Sequence, residues 1–453
     1  MSIKHKRKEL VVRYPHHIDF ALKKLHAAGY QAYLVGGCVR DFLLGREISD
    51  FDITTDALPG ETKKLFADFP QQDAGLKHGT ATIFIDKNPI EITTFRQDGE
   101  YLDGRHPVQV SFTKSLRDDL LRRDFTVNAL AYDSEKGVLD YVGGKKDLKN
   151  KVIRAIGNPE ERLKEDALRI LRAVRFAAQL DFIIEETTYR AMKEKLPALQ
   201  NISAERKAVE LIKSLMSPAI IRVITDYYEI FGAICPDILR MKNFSQNNPH
   251  HIYDVLEHTA HVIQNCPFDK ELRLAALFHD FGKVHTYSED ENGIGHFYGH
   301  GEISEKIARE TMRSLKLDNK TIHNVCTLVR YHDVQFPAER KPVKRWLNKL
   351  GSDLFFKLLE LKIADNSAQA PEYSARRELA EEIRLLATNI LQEQSCFQLK
   401  DLAVNGNDMM ALGFSGRKIG EALHFLLRQV IDEKSNNIKS ELIELVKEKY
   451  ELP

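Results

Sequence analysis

Residues 32–52 read AYLVGGCVRDFLLGREISDFD and contain the most informative pattern in the chain. The first four residues are apolar, which predicts a short buried strand. Gly36 and Gly37 come directly after it and predict a tight turn with bare backbone amides, followed closely by Arg40. A glycine pair alone is usually just a turn, so its meaning depends on the charged residues around it.

Three carboxylates accompany this turn. Asp50 and Asp52 fall in a predicted strand over 49–54, and because strand side chains alternate between faces, both should point the same way while Phe51 points into the core. Glu91 stands in an apolar strand pattern, where an unpaired carboxylate would be costly. Such oxygens suit Mg²⁺, which also binds substrate phosphates. A lone Asp-x-Asp is more often a solvated strand end, but the combination favours a nucleotidyl transferase with these three catalytic carboxylates.

The composition excludes several classes of protein. The chain has 453 residues, 43% hydrophobic and 29% charged, and a formal net charge of zero, so it is an ordinary globular protein and no generic polycation. Five scattered cysteines without a Cys-x-x-Cys pair argue for a reducing compartment. No apolar run approaches the roughly 18–20 residues of a membrane span, and the basic N-terminus lacks a secretory apolar region. We expect a cytoplasmic protein without a membrane partner.

The pattern along the chain predicts an α+β protein. Strands and helices mix in residues 1–150, whereas 151–242, 243–370 and 371–453 are helical, with a boundary expected at the polar segment 243–249. The predicted elements are a helix over 17–28, strands over 49–54, 81–85, 90–95, 108–112 and 129–133, and helices over 160–180, 185–196 and 204–215.

A charged segment follows the predicted strands. Arg122 and Arg123 could clamp triphosphate oxygens, and the neighbouring Asp124 and Asn128 could hydrogen-bond a ribose. A charged helix start would explain the same residues equally well.

The helix predicted over 160–180 contains Asp166 and Arg169, which would share one face. These two residues could simply form a surface ion pair. Alternatively, they could recognise a nucleotide base by its hydrogen-bonding pattern. Cytosine and adenine both present an exocyclic amine beside a ring-nitrogen acceptor, so Asp166 would accept from the amine and Arg169 would donate to the ring nitrogen. Uracil and guanine reverse that pattern. Glu165 could hold the Arg169 guanidinium in place.

These segments resemble the class II tRNA nucleotidyltransferases, the CCA-adding enzymes and bacterial poly(A) polymerases of the polymerase β superfamily. The resemblance covers about the first half of the chain and is carried by residues 34–45, 50–53, 122–129, 140–148, 165–169 and 203–206. It implies a polymerase-β-type head over 1–150, a helical neck and body over 151–242, and a tRNA-binding tail over 371–453.

The resemblance also implies ligands and residue roles. The partners would be tRNA, CTP and ATP, with Mg²⁺ bound in the head by Asp50 and Asp52. Asp103 and Arg105 would belong to a flexible loop that reshapes the pocket from C to A, which argues against a CC-only enzyme. The implied nucleotide-binding residues are Gly36, Gly37, Arg40, Arg96, Arg123, Asp124, Asn128, Asp166, Arg169, Arg172 and Arg175.

Residues 243–370 contain a second motif, with histidines and aspartates on successive helices. Imidazole and carboxylate ligands together suit Mn²⁺, Fe, Ni²⁺ or Mg²⁺ and would activate water for phosphoester hydrolysis. The order resembles the HD superfamily of metal-dependent phosphohydrolases, although such domains can also be purely structural. The resemblance implies the ligands His258, His279, Asp280 and Asp365, which His300 and His332 could extend to a second metal.

The C-terminal segment offers a phosphate-binding turn. Glycines at a predicted helix start lie next to Arg417 and Lys418, which suits an RNA backbone, although a plain helix-turn-helix with solvated cations is equally compatible. We therefore predict a CCA-adding enzyme with an HD domain. The alternatives are an A-adding enzyme or poly(A) polymerase, and an HD phosphohydrolase whose N-terminal half only binds RNA. The oligomeric state is not predictable from these patterns.

Overall fold

The computed structural model describes residues 14–73, 75–76, 79–98, 110–393 and 395–452. The chain divides into two compact units. Unit 1 is the chain up to Ala219 together with Tyr227–Ile234, and unit 2 is Ile220–Asp226 together with the chain from Cys235 onward. The predicted division into four domains stays a prediction.

Unit 1 is built on a mixed sheet with the strand order β3-β4-β5-β2-β1-β8-β9. β2 runs parallel to β5, and the other neighbours are antiparallel. The strands of unit 1 are β1 (Ala32–Val35), β2 (Asp52–Thr55), β3 (Gln71–Gln72), β4 (Thr80–Ile85), β5 (Asn88–Thr94), β6 (Arg96–Asp98), β7 (Val110–Phe112), β8 (Leu130–Asp133), β9 (Gly137–Asp140), β10 (Val152–Ile153) and β11 (Ile183–Ile184).

The centre of this sheet is fixed by apolar and β-branched side chains. Leu34, Ile53 and Ile92 lie on the three central strands and are fully buried, which sets the register of β1, β2 and β5. In that register Asp52 lies opposite Glu91. The sheet thus brings two of the predicted catalytic carboxylates to neighbouring positions.

Helices cover the sheet and continue beyond it. The first helices of unit 1 are α1 (His16–Ala27), α2 (Gly37–Leu43), α3 (Pro59–Leu65), α4 (Leu116–Leu121), α5 (Gly144–Asn150), α6 (Pro159–Glu165), α7 (Leu168–Leu180), α8 (Glu186–Lys195) and α9 (Ala204–Leu215). Next come α10 (Ile220–Asp226), which belongs to unit 2, and α11 (Tyr228–Gly232), which belongs to unit 1. α7 packs against α9, and both contribute side chains to the site described below.

Unit 2 is largely helical, with one short hairpin of β12 (Ser288–Glu289) and β13 (Gly295–His296) among its described residues. α12, α13, α16 and α18 pack together, and α20 to α22 form an apolar core of their own. The helices are α12 (Val255–Asn265), α13 (Lys270–Phe278), α14 (Lys283–Thr286), α15 (His300–Ser314), α16 (Asn319–Tyr331), α17 (Arg340–Leu350), α18 (Ser352–Asn366), α19 (Ala375–Gln392), α20 (Gly406–Ala411), α21 (Arg417–Ile431) and α22 (Lys439–Tyr450).

The predicted α+β class, with a mixed N-terminal sheet and a helical remainder, is confirmed. The prediction of a strand over 49–54 was wrong at its start, because β2 begins only at Asp52. β1 ends at Val35, the register partner of Asp52, so the residues before Asp52 have no β1 partner. Asp50 is therefore exposed outside the strand, and Phe51 is half-buried instead of pointing fully into the core.

The single helix predicted over 160–180 was also wrong. The chain breaks between α6 and α7 at Asp166, whose backbone is extended (φ −146°, ψ 104°). The Asp166 carboxylate accepts a hydrogen bond from the Leu168 amide at 3.0 Å, and such local bonds compete with a continuous helix. Asp166 and Arg169 therefore do not share a face of one helix.

Candidate active site and metal centre

The glycine turn lies against two of the predicted site residues of unit 1, Asp52 and Arg123. Gly36 has φ +80°, a conformation that L side chains rarely adopt. A Cβ there would lie 3.3 Å from Arg123 Nη1 and 4.0 Å from Asp52 Oδ2. The positive φ therefore favours glycine, and the Arg123 guanidinium leaves little room for a Cβ.

Asp52 and Glu91 create a region of negative charge on adjacent strands. Burial raises the pKa of Asp52, and the charges of Glu91 and Asp50 raise it further, while Arg123 opposes them. Asp50 accepts a hydrogen bond from the Ser49 hydroxyl at 3.1 Å. Among the described residues these three carboxylates do not form a group whose ligand atoms all lie within 4.8 Å of one another. Their mutual repulsion and hard oxygen atoms nevertheless fit a divalent cation.

Asp119 organises the neighbouring arginines and was missed in the sequence. Its buried carboxylate contacts Arg122 Nη2 at 2.7 Å and Arg123 Nη2 at 3.3 Å, and it accepts a hydrogen bond from Thr54 Oγ1 at 3.3 Å. Although burial raises the pKa of Asp119, Arg123 and Arg122 outweigh that effect and lower it. The spacing of three and four residues ahead of the arginine pair was the available signal.

Asp124 and Asn128 hold two further arginines. Asp124 Oδ2 lies 2.6 Å from Arg172 Nη2, and Asn128 Oδ1 accepts a hydrogen bond from Arg40 Nη1 at 2.7 Å. Asn128 Nδ2 donates to Asp124 Oδ1 at 3.3 Å. Burial raises the pKa of Asp124, but the adjacent Arg172 outweighs this and lowers the pKa to about 2. The two residues thus form a rigid polar network, and a contact with ribose stays a prediction.

Phe176 is surrounded by guanidinium groups. The Cζ atoms of Arg40, Arg172 and Arg175 lie 5.4, 5.3 and 4.3 Å from the centre of its ring. Arg175 also lies 3.2 Å from the buried carboxylate of Glu210, which the sequence patterns did not reveal. The ring and this carboxylate allow three like charges to lie close together.

Asp166 and Arg169 each have a partner. Asp166 Oδ2 accepts a hydrogen bond from Arg206 Nη2 at 2.8 Å, and Arg169 Nη1 contacts the Glu165 carboxylate. The predicted contact between Glu165 and Arg169 is therefore present. Arg206 had been noted only as part of a matching segment, and its role in holding Asp166 was missed.

One cavity of about 1080 Å³ brings these groups together. It adjoins both the strand carboxylates and the residues at the break between α6 and α7, although these are far apart in the sequence. Asp103 and Arg105 lie outside the described residues. The predicted site residues that line the cavity are Gly36, Gly37, Arg40, Asp50, Asp52, Glu91, Arg96, Arg123, Asp124, Asn128, Asp166, Arg169, Arg172 and Arg175.

Unit 2 contains a buried cluster of histidines. The Nδ1 atoms of His279, His300 and His332 lie 2.7–2.8 Å from backbone carbonyl oxygens, so each ring is held with Nε2 turned toward the cluster. His258 Nδ1 lies 3.3 Å from the Ala368 carbonyl. This arrangement is typical of metal-binding histidines, whose second nitrogen donates to the backbone.

Asp280 is shared by two groups of possible ligands. Among the described residues, ligand atoms within 4.8 Å of one another occur in His258, His279 and Asp280, and in Asp280, His300 and His332. Asp365 Oδ1 lies 3.0 Å from His258 Nε2. Burial lowers the pKa of His300 to about 4, which keeps its imidazole neutral and able to bind a metal. The donor set fits one or two divalent ions, and all six predicted residues meet here.

Three family models match the chain. A Poly A polymerase head domain matches residues 32–154, a probable RNA and SrmB binding site of polymerase A matches 181–230, and a putative tRNA nucleotidyltransferase domain 2 matches 286–446. The CCA-adding enzyme of Bacillus pumilus is 34% identical over 93% of this chain and 94% of its own length. The chain belongs to the CCA-adding enzyme family.

Other CCA-adding enzymes are similar over parts or all of the chain. That of Streptococcus suis is 53% identical over 196 residues, which span 43% of this chain and about half (48%) of that enzyme. The crystal structure of the Bacillus stearothermophilus enzyme in complex with CTP is 28% identical, covers 97% of this chain and 98% of its own, and has a TM-score of 0.73.

Membership in the CCA-adding enzyme family confirms the predicted class, a tRNA nucleotidyltransferase. A polymerase-type head implies a divalent metal, and the buried cluster of unit 2 could hold another. Among the described residues, no helix is long and apolar enough to cross a membrane. The cytoplasmic location and the roles of individual residues stay predictions.

Two cations at the start of α21, Arg417 and Lys418, are exposed to solvent. Gly416 has φ +56° and precedes α21, which begins at Arg417. The side chain of Arg417 is 93% exposed and pairs with Glu421 at 3.1 Å. Arg417 and Lys418 are thus placed at a helix start as predicted, and their contact with RNA stays a prediction.

Proposed function

We propose that the chain adds CCA to tRNA 3′ ends from CTP and ATP without a nucleic-acid template. The observation that carries this proposal is that one cavity is lined by Asp52, by Arg123 and by the pair Asp166 and Arg169. Carboxylates for a metal, guanidiniums for a triphosphate and a hydrogen-bonding pair for a base are the groups that such a reaction needs. Family membership supports the same activity.

The residues of unit 1 supply position and charge. Asp50, Asp52 and Glu91 would hold Mg²⁺, which when bound lowers the pKa of the attacking hydroxyl and neutralises the leaving pyrophosphate. Arg123, held by Asp119, lies next to Asp52 and can bind phosphate oxygens. In the reaction the tRNA 3′-oxygen bonds to the α-phosphorus, the bond to the pyrophosphate oxygen breaks, and the hydroxyl proton passes to water.

Base selection is assigned to Asp166 and Arg169. Asp166 would accept from the exocyclic amine of cytosine or adenine, and Arg169 would donate to the adjacent ring nitrogen. Their contacts with Arg206 and Glu165 fix the two side chains before the nucleotide binds. A preorganised pair can reject a base with the reversed pattern, because that base would leave buried polar groups unpaired.

Product ends distinguish this function from an A-adding enzyme or a poly(A) polymerase. Purified protein with Mg²⁺ would be given tRNAs that end in the discriminator base, in C or in CC, with CTP and ATP singly and together. Completion of CCA from the discriminator base, followed by arrest, is expected. Reaction of only the CC-ending tRNA would indicate A addition, and long A tails on any RNA would indicate a poly(A) polymerase.

The histidine cluster of unit 2 supports a second candidate function, a metal-dependent phosphohydrolase acting on tRNA ends. It is favoured by the six inward-facing ligands and by the cations that line the adjacent cavity. Metal analysis and hydrolysis of 2′,3′-cyclic phosphates test it. His279→Ala should abolish hydrolysis and spare nucleotide addition, whereas the exposed His323→Ala on α16 should change neither activity.

The tail would bind the tRNA backbone through Arg417 and Lys418. Reversal of both charges should raise the KM for tRNA without changing kcat on a short acceptor-stem RNA.

The unaltered protein also tests the alternative in which the N-terminal half only binds RNA. If it adds no nucleotide but hydrolyses cyclic phosphates, unit 1 binds RNA only and the cluster of unit 2 is the active enzyme.

A further inference from the structure

An aromatic side chain stands exposed at the entrance to the metal centre of unit 2. Tyr298 is 77% exposed and lies two residues before His300, one of the candidate ligands. Its ring is stacked on that of His296, with centroids 5.4 Å apart and planes 9° from parallel. A large, exposed aromatic ring next to a site is typical of a ligand contact.

Contacts within the β12–β13 hairpin hold the His296 side of this stack. His296 pairs with Ser288 in the β12–β13 hairpin, and its Nε2 lies 3.1 Å from Asp290 Oδ2. The Asp290 carboxylate also accepts hydrogen bonds from the amides of Asn292 and Ile294, which close the hairpin turn. These contacts hold His296, against which the Tyr298 ring lies nearly parallel.

The adjoining cavity of about 680 Å³ is lined both by this stack and by part of the histidine cluster. Asp280, His300 and His332 line it together with His296 and Tyr298. Its wall also carries the cations Lys283, Arg330 and Arg376. Each cation is paired with a carboxylate: Lys283 with Asp280, Arg330 with Glu302 and Glu305, and Arg376 with Asp333. A ligand in this cavity would meet both metal ligands and the exposed Tyr298 ring.

We propose that Tyr298 is a stacking platform for the base of a nucleotide whose 3′ phosphate lies at the metal centre. This inference rests on the proposed phosphohydrolase function and adds to it the residue that would bind the base of the substrate. In hydrolysis the water oxygen bonds to phosphorus, one ester P–O bond breaks, and the departing sugar oxygen takes a proton. Because every base has a π-face, the platform discriminates nucleotides from base-free phosphates and tolerates different bases.

Binding and turnover are measured separately on the full chain loaded with Mn²⁺. Calorimetry would give Kd values for adenosine and uridine 2′,3′-cyclic phosphates and for the base-free glycerol 1,2-cyclic phosphate. Tyr298→Ala should raise both nucleotide Kd values at least about fivefold and leave that of the glycerol compound within twofold, while Tyr298→Phe should bind like the unaltered protein. Tyr141→Ala, which removes another exposed tyrosine (47% exposed) from unit 1, should change none of them.

The outcomes separate the two proposals. Unchanged nucleotide affinity in Tyr298→Ala, or an equal loss for the glycerol compound, would overturn the platform. Absence of nucleotide binding to the unaltered, metal-loaded protein would overturn it as well. Binding with the expected dependence on Tyr298 but without turnover would support the platform and contradict only the phosphohydrolase function.

Discussion

Asp52 and Glu91 are register partners on neighbouring parallel strands, so their side chains leave the sheet on the same face. Burial and the charge of Glu91 both raise the pKa of Asp52, and Arg123 is the counter-charge. Both residues are nevertheless exposed, so water can reach the two like charges, and Arg123 offsets only part of their repulsion. The fold therefore maintains electrostatic repulsion at the point where a divalent metal is expected to bind.

Asp52→Asn should abolish nucleotide incorporation without unfolding the protein. Mutation of a residue that hydrogen-bonds to a metal ligand lowers metal affinity or activity by about 10- to 100-fold. Loss of a direct ligand should therefore lower the incorporation rate more than about 100-fold. Incorporation assays and thermal melts check this, with Asp86→Asn in the exposed β4–β5 turn as the control. Incorporation retained at a normal rate would remove Asp52 from the metal site.

Asp119→Asn should impair both stability and triphosphate binding. Removing one partner of a buried ion pair costs about 3–5 kcal/mol, and here two arginines lose a shared carboxylate. Urea unfolding and the KM for CTP measure the two effects. Asp118 is the neighbouring, half-buried carboxylate, and Asp118→Asn should change stability and the KM for CTP far less. Equal effects from both variants would argue against an organising role for Asp119.

Asp124 should make unit 1 acid-sensitive. Its pKa of about 2, against an ordinary 3.8, corresponds to about 2.5 kcal/mol of stability at neutral pH. Because the folded-state pKa is depressed, this contribution is present above pH 3.8 and is lost as the pH falls through 2. Urea midpoints of the native chain and Asp124→Asn should therefore differ most at pH 7 and about half as much at pH 3. A difference that does not depend on pH would contradict the assignment.

Asp166→Ala should loosen base selection. Loss of the acceptor for the exocyclic amine should lower the incorporation rates of CTP and ATP. The ratio of these rates to those of UTP and GTP should therefore fall. Single-turnover incorporation of each nucleotide measures this. The control is Glu161→Ala, which removes an exposed carboxylate from α6, the helix that ends just before Asp166. Unchanged selectivity would place base recognition elsewhere in the cavity.

Asp280→Asn should remove bound metal completely, because both groups of ligands use this carboxylate. His332→Ala belongs to one group only and should leave at most one ion. Elemental analysis after dialysis gives the stoichiometry, with His323→Ala as the matched control on α16. An Asp280→Asn protein that still carries two ions per chain would contradict the shared-ligand geometry.

The sequence predicted the central strands of the sheet, the glycine turn and the charged residues that line the cavity, because each follows from local periodicity or residue chemistry. It placed the start of β2 three residues too early and did not predict the short strands β3, β6, β9, β10 and β11. It did not predict that Asp166 interrupts a helix, since apolar spacing continues through that position and the side-chain bond to Leu168 leaves no periodic signal.

The partners of the charged residues were also missed. Glu210 and Arg206 contact predicted site residues from positions that only the tertiary fold brings close. Asp119 is different, because it lies only three and four residues before the arginines that it contacts. Which carboxylate pairs with which guanidinium depends on how α7 and α9 pack and on the position of α4. Sequence spacing alone does not encode that geometry.

The connection through Asp119 has a practical consequence. Its carboxylate is bonded to Thr54 on β2, two residues from Asp52, and to both arginines, yet it is fully buried. In a deep mutational scan read out by growth, Asp119 would thus be scored among the essential catalytic positions. An inhibitor screen aimed at the same cavity would find nothing there to bind.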